Sequence, residues 1–379
     1  MATLPSCQTL GADSCYNSLH MIPLPDFPNF VSLNLSHRAL VQSITNQHHP
    51  YSDFNFTSMF AWNVKEEIVI SSLYDNLVVR FTDYINDEVF FSLIGKNKLE
   101  STIDTLLAYC RSIGVEPRLR LVPKSVVGAL TPEAHAHYTI EEDRNNHDYI
   151  LSVQELCDFT TSRFRRKKEL HNQFVRSHGE NVVFRPLDLH SEEVLFEMQN
   201  VATAWQQSRG KSINEARNEL DAIKRSLKHH QDLSIKAVGV YIKGKLVAFN
   251  IFELLPGKVA MGHFIKADVD FKGIFEYLVH NSARYLKSLG IEYINIEQDL
   301  GINGLRKYKE SYKPIGFLRK YTISQKQQSF RRVRQEYTPV GNRSFGRAKN
   351  WSRSTRKGRS GPNPYLSRSG PSTSAPDQA

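Results

Sequence analysis

The sequence predicts a mixed fold of helices and strands in which one supersecondary pattern occurs twice. Helical and strand patterns alternate along the chain, as they do in α/β and α+β proteins. The order of elements that begins near residue 30 recurs from residue 181, which is typical of an internal repeat. With 379 residues, the chain is also long enough to form two cores. We therefore expect two similar domains.

The apolar spacing predicts the elements of each half in turn. In the first half, a strand from residue 30 is followed by helices over 36–46 and 98–112 and strands over 67–72, 77–81, 89–94 and 118–122. The second half begins with a strand near residue 181 and adds helices over 191–207, 214–230 and 272–289 and strands over 234–242, 246–253, 259–265 and 292–296. Between the halves, a helix is predicted over 152–178. It begins at Ser152, with Glu155 three positions later as in a capping box.

These elements divide the chain into a flexible lead-in over 1–27, a first domain over 28–151, a linking basic helix over 152–180, a second domain over 181–325 and a tail over 326–379. The tail is rich in Arg, Ser, Gly and Pro and has no apolar pattern, so it is predicted to be disordered. It contains twelve Lys and Arg against Glu336 and Asp377. Its net charge of +10 therefore equals that of the whole chain, and the preceding residues are neutral as a group.

The composition argues against several classes of protein. The hydrophobic fraction is 40% and the mean hydropathy is −0.43, and no apolar run has the length needed to span a bilayer. The first thirty residues lack a basic segment followed by an apolar one, so no signal peptide is expected. Cys7, Cys15, Cys110 and Cys157 show neither a metal-ligand spacing nor a disulfide framework. We therefore expect no metal site and a cytoplasmic location.

The segment 293–314 contains the clearest candidate site, in which a strand leads into an acidic turn and then a basic helix. The strand period of two places Asn295, Glu297 and Asp299 on one face. Arg306, Lys307 and Lys309 lie within about a turn and a half of the following helix, so we expect them beside the two carboxylates. A site of this kind could bind, orient and deprotonate a substrate.

This segment resembles the C-terminal domain of bacterial phosphatidylglycerol lysyltransferases and the soluble proteins built from that domain. The resemblance rests on Asn295, Glu297, Asp299, Gly301, Gly304, Leu305, Arg306, Lys309, Pro314, Lys320 and Tyr321. Two further segments are also similar to the family. One is 30–62, with Tyr51-Ser-Asp-Phe-Asn-Phe-Thr57, and the other runs from Asp148 to Phe174. The resemblance thus spans residues 30 to 324.

The resemblance implies two tandem N-acetyltransferase-type (GNAT-like) domains, and hence an α+β fold of mixed sheets flanked by helices. It also implies transfer of an aminoacyl group from aminoacyl-tRNA to an amine or hydroxyl acceptor, without a further cofactor. The membrane-spanning half of the lysyltransferases has no counterpart in this sequence, so the sequence does not support a lipid acceptor. The loop 270–275, where acyl-CoA would be cradled, has Gly273 as its only glycine. A lone glycine offers few backbone amides to a pyrophosphate, so acyl-CoA is the less expected donor.

The resemblance also suggests roles for the motif residues. Glu297 or Asp299 would orient the ammonium group of the donor or act as a base, and Asn295 would position a substrate. Arg306 or Lys309 would meet phosphate or developing oxyanion charge. A structural alternative stays open, in which Asp299 caps the following helix and Glu297 pairs with a neighbouring Lys or Arg.

The basic run Arg163 to Lys168 also has two possible interpretations. Arg165, Arg166 and Lys167 could contact RNA phosphates, or they could form an exposed face of the linker. We expect tRNA or another RNA as a partner, bound through this helix and the tail. The sequence does not predict an oligomeric state. Two other functions remain possible on the same fold, a noncatalytic RNA-associated protein and an acyl-CoA-dependent N-acyltransferase.

Overall fold

A computed structural model describes residues 23–83, 86–159, 162–208 and 213–326. Two seven-stranded sheets flanked by helices make up this part of the chain. Each sheet combines antiparallel pairs with one parallel pair. The predicted α+β class, with two mixed sheets, is therefore confirmed. Most of the predicted lead-in and almost all of the predicted disordered tail lie outside the described residues.

The first sheet is formed mainly by the first half of the chain. Its strands are β1 (Val31–Ser32), β2 (Val69–Leu73), β3 (Asn76–Thr82), β4 (Val89–Ile94), β5 (Arg118–Pro123), β6 (Tyr138–Glu142) and β14 (Lys320–Gln325). The spatial order is β1-β2-β3-β4-β5-β14-β6. The buried runs of Val, Phe, Leu and Ile in β3 and β4 place this pair in the sheet interior.

The second sheet is formed mainly by the second half. Its strands are β7 (Asp148–Ser152), β8 (Val182–Pro186), β9 (Lys236–Ile242), β10 (Lys245–Leu255), β11 (Val259–Ala267), β12 (Tyr293–Asn295) and β13 (Gly316–Leu318). The spatial order is β13-β7-β12-β11-β10-β9-β8. β11 and β12 run parallel and pair only from Val259 to Met261. β12 then ends while β11 continues to Ala267, so the two strands separate at this point.

The helices pack on the faces of these sheets. They are α1 (Arg38–Thr45), α2 (Phe56–Trp62), α3 (Leu99–Ser112), α4 (Lys124–Val127), α5 (Pro132–His137), α6 (Val153–Asp158), α7 (Arg165–His178), α8 (Glu192–Ser208), α9 (Ile213–Lys228), α10 (His230–Leu233), α11 (Ile274–Ser288) and α12 (Asn303–Ser311). α3 shows why the apolar spacing predicted its position, since Leu99, Ile103, Leu106 and Cys110 form one buried face. In the described ranges, no helix combines the length and the apolar composition required to cross a membrane.

The two halves of the sequence exchange strands. β7 (Asp148–Ser152), at the end of the first half, lies in the second sheet, and β14 (Lys320–Gln325), at the end of the second half, lies in the first sheet between β5 and β6. One hydrophobic cluster also contains residues of both halves, such as Phe54 and Phe81 with Phe249 and Phe264. Contacts accordingly group the chain up to Gln327 into one compact unit. The predicted domain boundaries at 151 and 181 stay predictions. Each sheet contains one strand from the opposite half of the chain.

The linking helix differs from its prediction. Ser152 caps α6 as expected, since its hydroxyl accepts a hydrogen bond from the backbone N–H of Glu155. The prediction of one continuous helix over 152–178 is wrong, because α6 ends at Asp158 and α7 begins only at Arg165. Phe159 is buried in the left-handed region at φ +43°, which a helix cannot continue through. Burial of its ring therefore outweighs helical continuity at this position.

Candidate functional site

The acidic turn after β12 is held in an unusual backbone conformation. β12 ends at Asn295, and Glu297, Leu300 and Gly301 all have positive φ values, of +59°, +57° and +74°. Positive φ at two non-glycine residues is sustained only where the surroundings fix it. The strand alternation therefore stops at Asn295. The predicted common face for Asn295, Glu297 and Asp299 is wrong for this reason.

Asp299 is fully buried and surrounded by donors. Arg306 binds it through Nε and Nη2 at 2.9 and 2.8 Å, Arg144 Nη1 approaches to 3.1 Å, and Tyr149 donates its hydroxyl at 2.5 Å. The backbone N–H of Gly301 donates at 2.8 Å. Burial acts to raise the pKa of Asp299, but the hydrogen bonds from Arg306 and Tyr149 outweigh it and lower the pKa to about 2. The contacts favour a structural role for this carboxylate.

Lys309 fixes the same turn from the other side. Its ammonium group donates to the carbonyl oxygens of Ile296 and, at 2.6 Å, of Gln298. Burial lowers the pKa of Lys309 to about 8. The prediction that Arg306 and Lys309 lie beside the acidic turn is thus confirmed in position. The charge of Arg306 faces Asp299, and that of Lys309 faces backbone carbonyls.

Asn295 connects the turn to the first sheet. Its side-chain oxygen accepts the backbone N–H of Glu297 at 2.7 Å, and its amide donates to Asp148 at 3.2 Å. Asp148, on β7, in turn accepts from the ammonium group of Lys320, on β14, at 2.7 Å. Asn295, Asp148 and Lys320 are all completely buried, with 0% exposure. A chain of hydrogen bonds therefore runs from the sheet junction to the backbone of Glu297.

Glu297 differs from Asp299, because its side chain reaches a large cleft. Its Oε1 accepts the hydroxyl of Ser58 at 3.1 Å and lies 3.5 Å from Nδ1 of His263. Nε2 of His263 lies 3.5 Å from the buried Glu253. Burial would lower the pKa of His263, but Glu253 and Glu297 outweigh it and raise the pKa to about 9. At neutral pH the site is therefore an imidazolium between two carboxylates.

Local sequence explains how these groups meet. His263 is the extra residue of a β-bulge, because Ile251 pairs with Phe264 and Phe252 pairs with Gly262. Bulges redirect side chains and are frequent beside active sites. Ser58 lies in the first turn of α2, which the side chain of Asn55 caps by accepting the N–H of Ser58 at 2.8 Å.

Sequence reasoning missed Glu253, His263 and Ser58. A signal for His263 was present, since Gly262-His263 interrupts an otherwise apolar strand and a glycine inside a strand suggests a bulge. Glu253 ends an apolar run in β10 and is almost completely buried, at 2% exposure. Burial acts to raise its pKa, but the neighbouring His263 and the hydrogen bond from the Asn55 amide give a net lowering.

The cleft has a volume of about 1540 Å³ and is lined by Glu297, Ser58, His263, Asp53 and Gln298, among others. Both halves of the chain contribute to its wall. Among the described residues that line it, eleven are Asp or Glu and five are Lys or Arg. The acidic excess favours a substrate that carries positive charge.

The remaining predicted contacts lie on and beneath α7. Arg165 and Arg166 are exposed, and both approach Glu169 at 3.1 and 3.7 Å. Lys167 is mostly buried, 3.1 Å from Glu276 and over the ring of Tyr312, and burial lowers its pKa. The exposed surface of α7 is therefore basic, but Lys167 points into the protein rather than toward a ligand.

Gly273 precedes α11 and packs directly against α7. Its φ is +87°, and a Cβ at this position would lie 2.2 Å from the carbonyl oxygen of Leu170. Glycine is required here by both conformation and space. Because α7 covers this glycine, the predicted role of Gly273 as an acyl-CoA contact stays a prediction that the packing does not favour.

Comparison with known proteins identifies the family. Residues 45–324 match the profile of the phosphatidylglycerol lysyltransferase C-terminal family. No functionally curated protein matches the sequence. A conserved protein of unknown function from Bacteroides thetaiotaomicron VPI-5482 is 23% identical, with a TM-score of 0.66 over 78% of this chain and 99% of that one.

Two further structures share the fold. L-PGS from Bacillus licheniformis is 14% identical, with a TM-score of 0.53 over 81% of this chain and 94% of its own. The C-terminal domain of a putative lysylphosphatidylglycerol synthetase from Agrobacterium fabrum is 12% identical, with a TM-score of 0.53 over 77% and 93%. At these identities the likeness shows the fold alone. The family profile covers well over half of the chain. The chain therefore belongs to the phosphatidylglycerol lysyltransferase C-terminal family, an acyltransferase-type family.

Proposed function

We propose that this protein transfers an aminoacyl group from aminoacyl-tRNA to an amine or hydroxyl acceptor. One observation carries the proposal, the placement of the Glu297 carboxylate at the cleft with His263 and Glu253 behind it. An aminoacyl ester is already activated, so the protein chiefly has to position the acceptor against the ester carbonyl. A covalent enzyme intermediate is not needed.

Glu297 is suited to hold the ammonium group of the aminoacyl donor. About 18% of its side chain is exposed, whereas that of Asp299 is completely buried. The acidic excess of the cleft attracts the same positive charge. On this proposal Asn295, Asp299, Arg306 and Lys309 position the turn that carries Glu297, and a direct substrate contact by any of them is not required.

The exposed face of α7 provides a surface for the phosphates of the donor RNA. The side chains of Arg165 and Arg166 are 84% and 78% exposed. Arg163 contacts the backbone of Lys313, just after α12, and Lys167 packs on Tyr312, which lines the cleft. This basic face thus adjoins the cleft wall. Arg and Lys contacts to phosphate supply most of the sequence-independent affinity for RNA.

An aminoacyl-tRNA donor suits this chain better than acyl-CoA. The N-terminal end of α11 begins at Gly273, whose Cα is pressed against the backbone of α7. A pyrophosphate group would need the backbone amides at this position. The acceptor stays open between amines and hydroxyls, including lipid headgroups.

The test uses tRNA charged with a labelled amino acid, purified protein and a cell extract as the source of acceptor. We expect label to leave the tRNA and appear in a new product. Glu297→Gln removes the charge but keeps the shape, and hydrogen bonds to charged groups contribute about 1.5–3 kcal/mol. Donor binding should therefore weaken roughly ten- to hundredfold.

Glu292→Gln is the matched control, because the side chain of Glu292 is exposed and pairs with Lys258 at the surface. It should transfer at the wild-type rate. Label that stays on tRNA with every acceptor would reject the transferase proposal and favour a noncatalytic RNA-associated protein. Equal donor affinity in Glu297→Gln and wild type would reject the role given to Glu297.

A further inference from the structure

We propose that Asp53 is the proton-transfer group of the cleft, which accepts the proton of the attacking amine or hydroxyl and returns it to the ribose oxygen that leaves. The inference rests on the proposed function. In that function Glu297 binds the ammonium group of the donor, and no residue is yet assigned to the proton transfer. Asp53 lines the same cleft as Glu297, Ser58 and Gln298.

The position of Asp53 is fixed by its neighbour in the chain. Ser52 begins a single 3-10 turn and donates its backbone N–H and its hydroxyl to the two oxygens of Asp148, at 2.8 and 2.6 Å. This pairing anchors the turn to β7 of the other sheet. Only 8% of the Asp53 side chain is exposed. The carboxylate is therefore held at the cleft wall by a rigid support.

The charged groups around Asp53 come from three elements. Lys320 on β14 forms an ion pair with Oδ2, Asp148 lies on β7 behind the same ammonium group, and Glu297 lies on the turn after β12. The Gln298 amide donates to Oδ1 at 3.2 Å. Asp53 and Asp148 thus share Lys320, and Glu297 adds a third negative charge near Asp53. Like charges held this close favour protonation of one of them.

Asp53 is the carboxylate best placed to take that proton. Asp148 already accepts hydrogen bonds from Ser52, Lys320 and Asn295 and has 0% exposure. Burial raises the pKa of Asp53 to about 6, against the opposing charge of Lys320 and with further raising by Asp148 and Glu297. A general base is most effective when its pKa lies near the working pH.

The reaction balances without a co-reactant. A neutral amine or hydroxyl attacks the ester carbonyl, a C–N or C–O bond forms, and the C–O bond to the ribose breaks. The proton lost by the acceptor moves to Asp53 and then to the ribose oxygen, which leaves as a hydroxyl. The carboxylate is regenerated, so it acts first as base and then as acid.

The sign of the pH dependence follows. Asp53 is competent as a carboxylate, so transfer should fall about tenfold per pH unit below pH 6 and level off above it. Asp53→Asn should lose this inflection and slow transfer by about 10²–10⁴-fold, which is the usual contribution of a general acid or base. Donor affinity should change little, in contrast to Glu297→Gln.

Two measurements test the inference. The first is the pH dependence of single-turnover transfer in wild type, Asp53→Asn and the exposed control Asp270→Asn. The second is a carbon-13 NMR titration of aspartate carboxyl groups in the full-length protein, with the Asp53 signal identified by its loss in Asp53→Asn. We expect a midpoint near pH 6, and a higher midpoint in Lys320→Met because the opposing cation is removed.

The outcomes separate the two proposals. A wild type that transfers no label rejects the transferase function and, with it, the role of Asp53. A wild type that transfers, with Asp53→Asn equal to it in rate and pH profile, rejects only the role of Asp53. An Asp53 signal that titrates near pH 4 also rejects it, and this readout needs no measurement of transfer activity.

Discussion

Asp299→Asn should destabilise the protein, because Asp299 anchors the turn rather than handling substrate. The variant keeps the shape of the side chain but loses its charge. It also turns an NH₂ group toward donors, since Arg306, Arg144, Tyr149 and Gly301 all present hydrogens to this carboxylate. The side chain is completely buried, so water cannot replace the lost contacts.

The structure sets the size of the effect. Lowering the pKa of Asp299 from 3.8 to about 2 corresponds to about 2 kcal/mol of folding free energy at neutral pH. Removing one partner of a buried ion pair costs about 3–5 kcal/mol, and asparagine retains part of the hydrogen bonding. We therefore expect a loss of about 2–4 kcal/mol, which lowers the Tm of a domain of this size by roughly 5–10 °C.

The pH dependence gives an independent check. The pKa of Asp299 is lower in the folded state, so its contribution to stability is complete above pH 3.8 and is lost as the pH falls through about 2. The difference in unfolding free energy between wild type and Asp299→Asn should therefore shrink by about 1 kcal/mol between pH 7 and pH 3.

Urea denaturation at the two pH values, followed by circular dichroism, measures this difference. Asp270→Asn is the control, since Asp270 is exposed, and it should change the free energy by less than about 0.5 kcal/mol. An Asp299→Asn protein with wild-type stability at pH 7 and no transfer activity would refute the reasoning. It would return Asp299 to the catalytic role that the sequence motif suggests.

Three further predictions concern α7 and its surroundings. Gly273→Ala should lower the free energy of unfolding by at least about 1–2 kcal/mol, because an L-residue is strained at φ +87° and its Cβ would meet the α7 backbone. An unchanged Tm would contradict the close contact between Gly273 and α7. Wild type should bind acetyl-CoA weakly or not at all by calorimetry, and a micromolar Kd would instead support an acyl-CoA donor. The double variant Arg165→Ala/Arg166→Ala should reduce the slope of log affinity for tRNA against log salt by about 1–2. Lys243→Ala/Lys245→Ala, on the exposed hairpin between β9 and β10, is the charge-matched control, and equal slopes would show that α7 does not contact RNA.

Sequence periodicity located many of the regular elements, but it missed α2, β6 and β7. β4 lies at the predicted 89–94, and α3 and α11 begin and end within two residues of their predicted bounds. These segments bury one continuous apolar face, so local pattern and tertiary packing agree. The acidic turn and its basic helix were likewise placed correctly in the chain.

The chemistry of the site was harder to predict, because it depends on contacts that the chain order does not reveal. Glu297 and Asp299 are two residues apart, yet one reaches the cleft and the other is buried among guanidinium groups. The positive φ of Glu297 separates them, and this conformation is maintained by Asn295 and Lys309. A strand pattern extended beyond Asn295 cannot show this reversal.

The exchange of β7 and β14 makes the site a property of the whole unit rather than of either half. Asp148 and Lys320 are 172 residues apart, and each lies in the sheet built mainly by the other half. Their contact continues through Asn295 to the backbone of Glu297. A rearrangement of the two sheets would therefore break the Asp148–Lys320 pair and release the turn that carries the carboxylate. Leaving one charge of a buried ion pair without its partner costs several kcal/mol of stability. The packing of the two halves and the position of Glu297 therefore depend on each other.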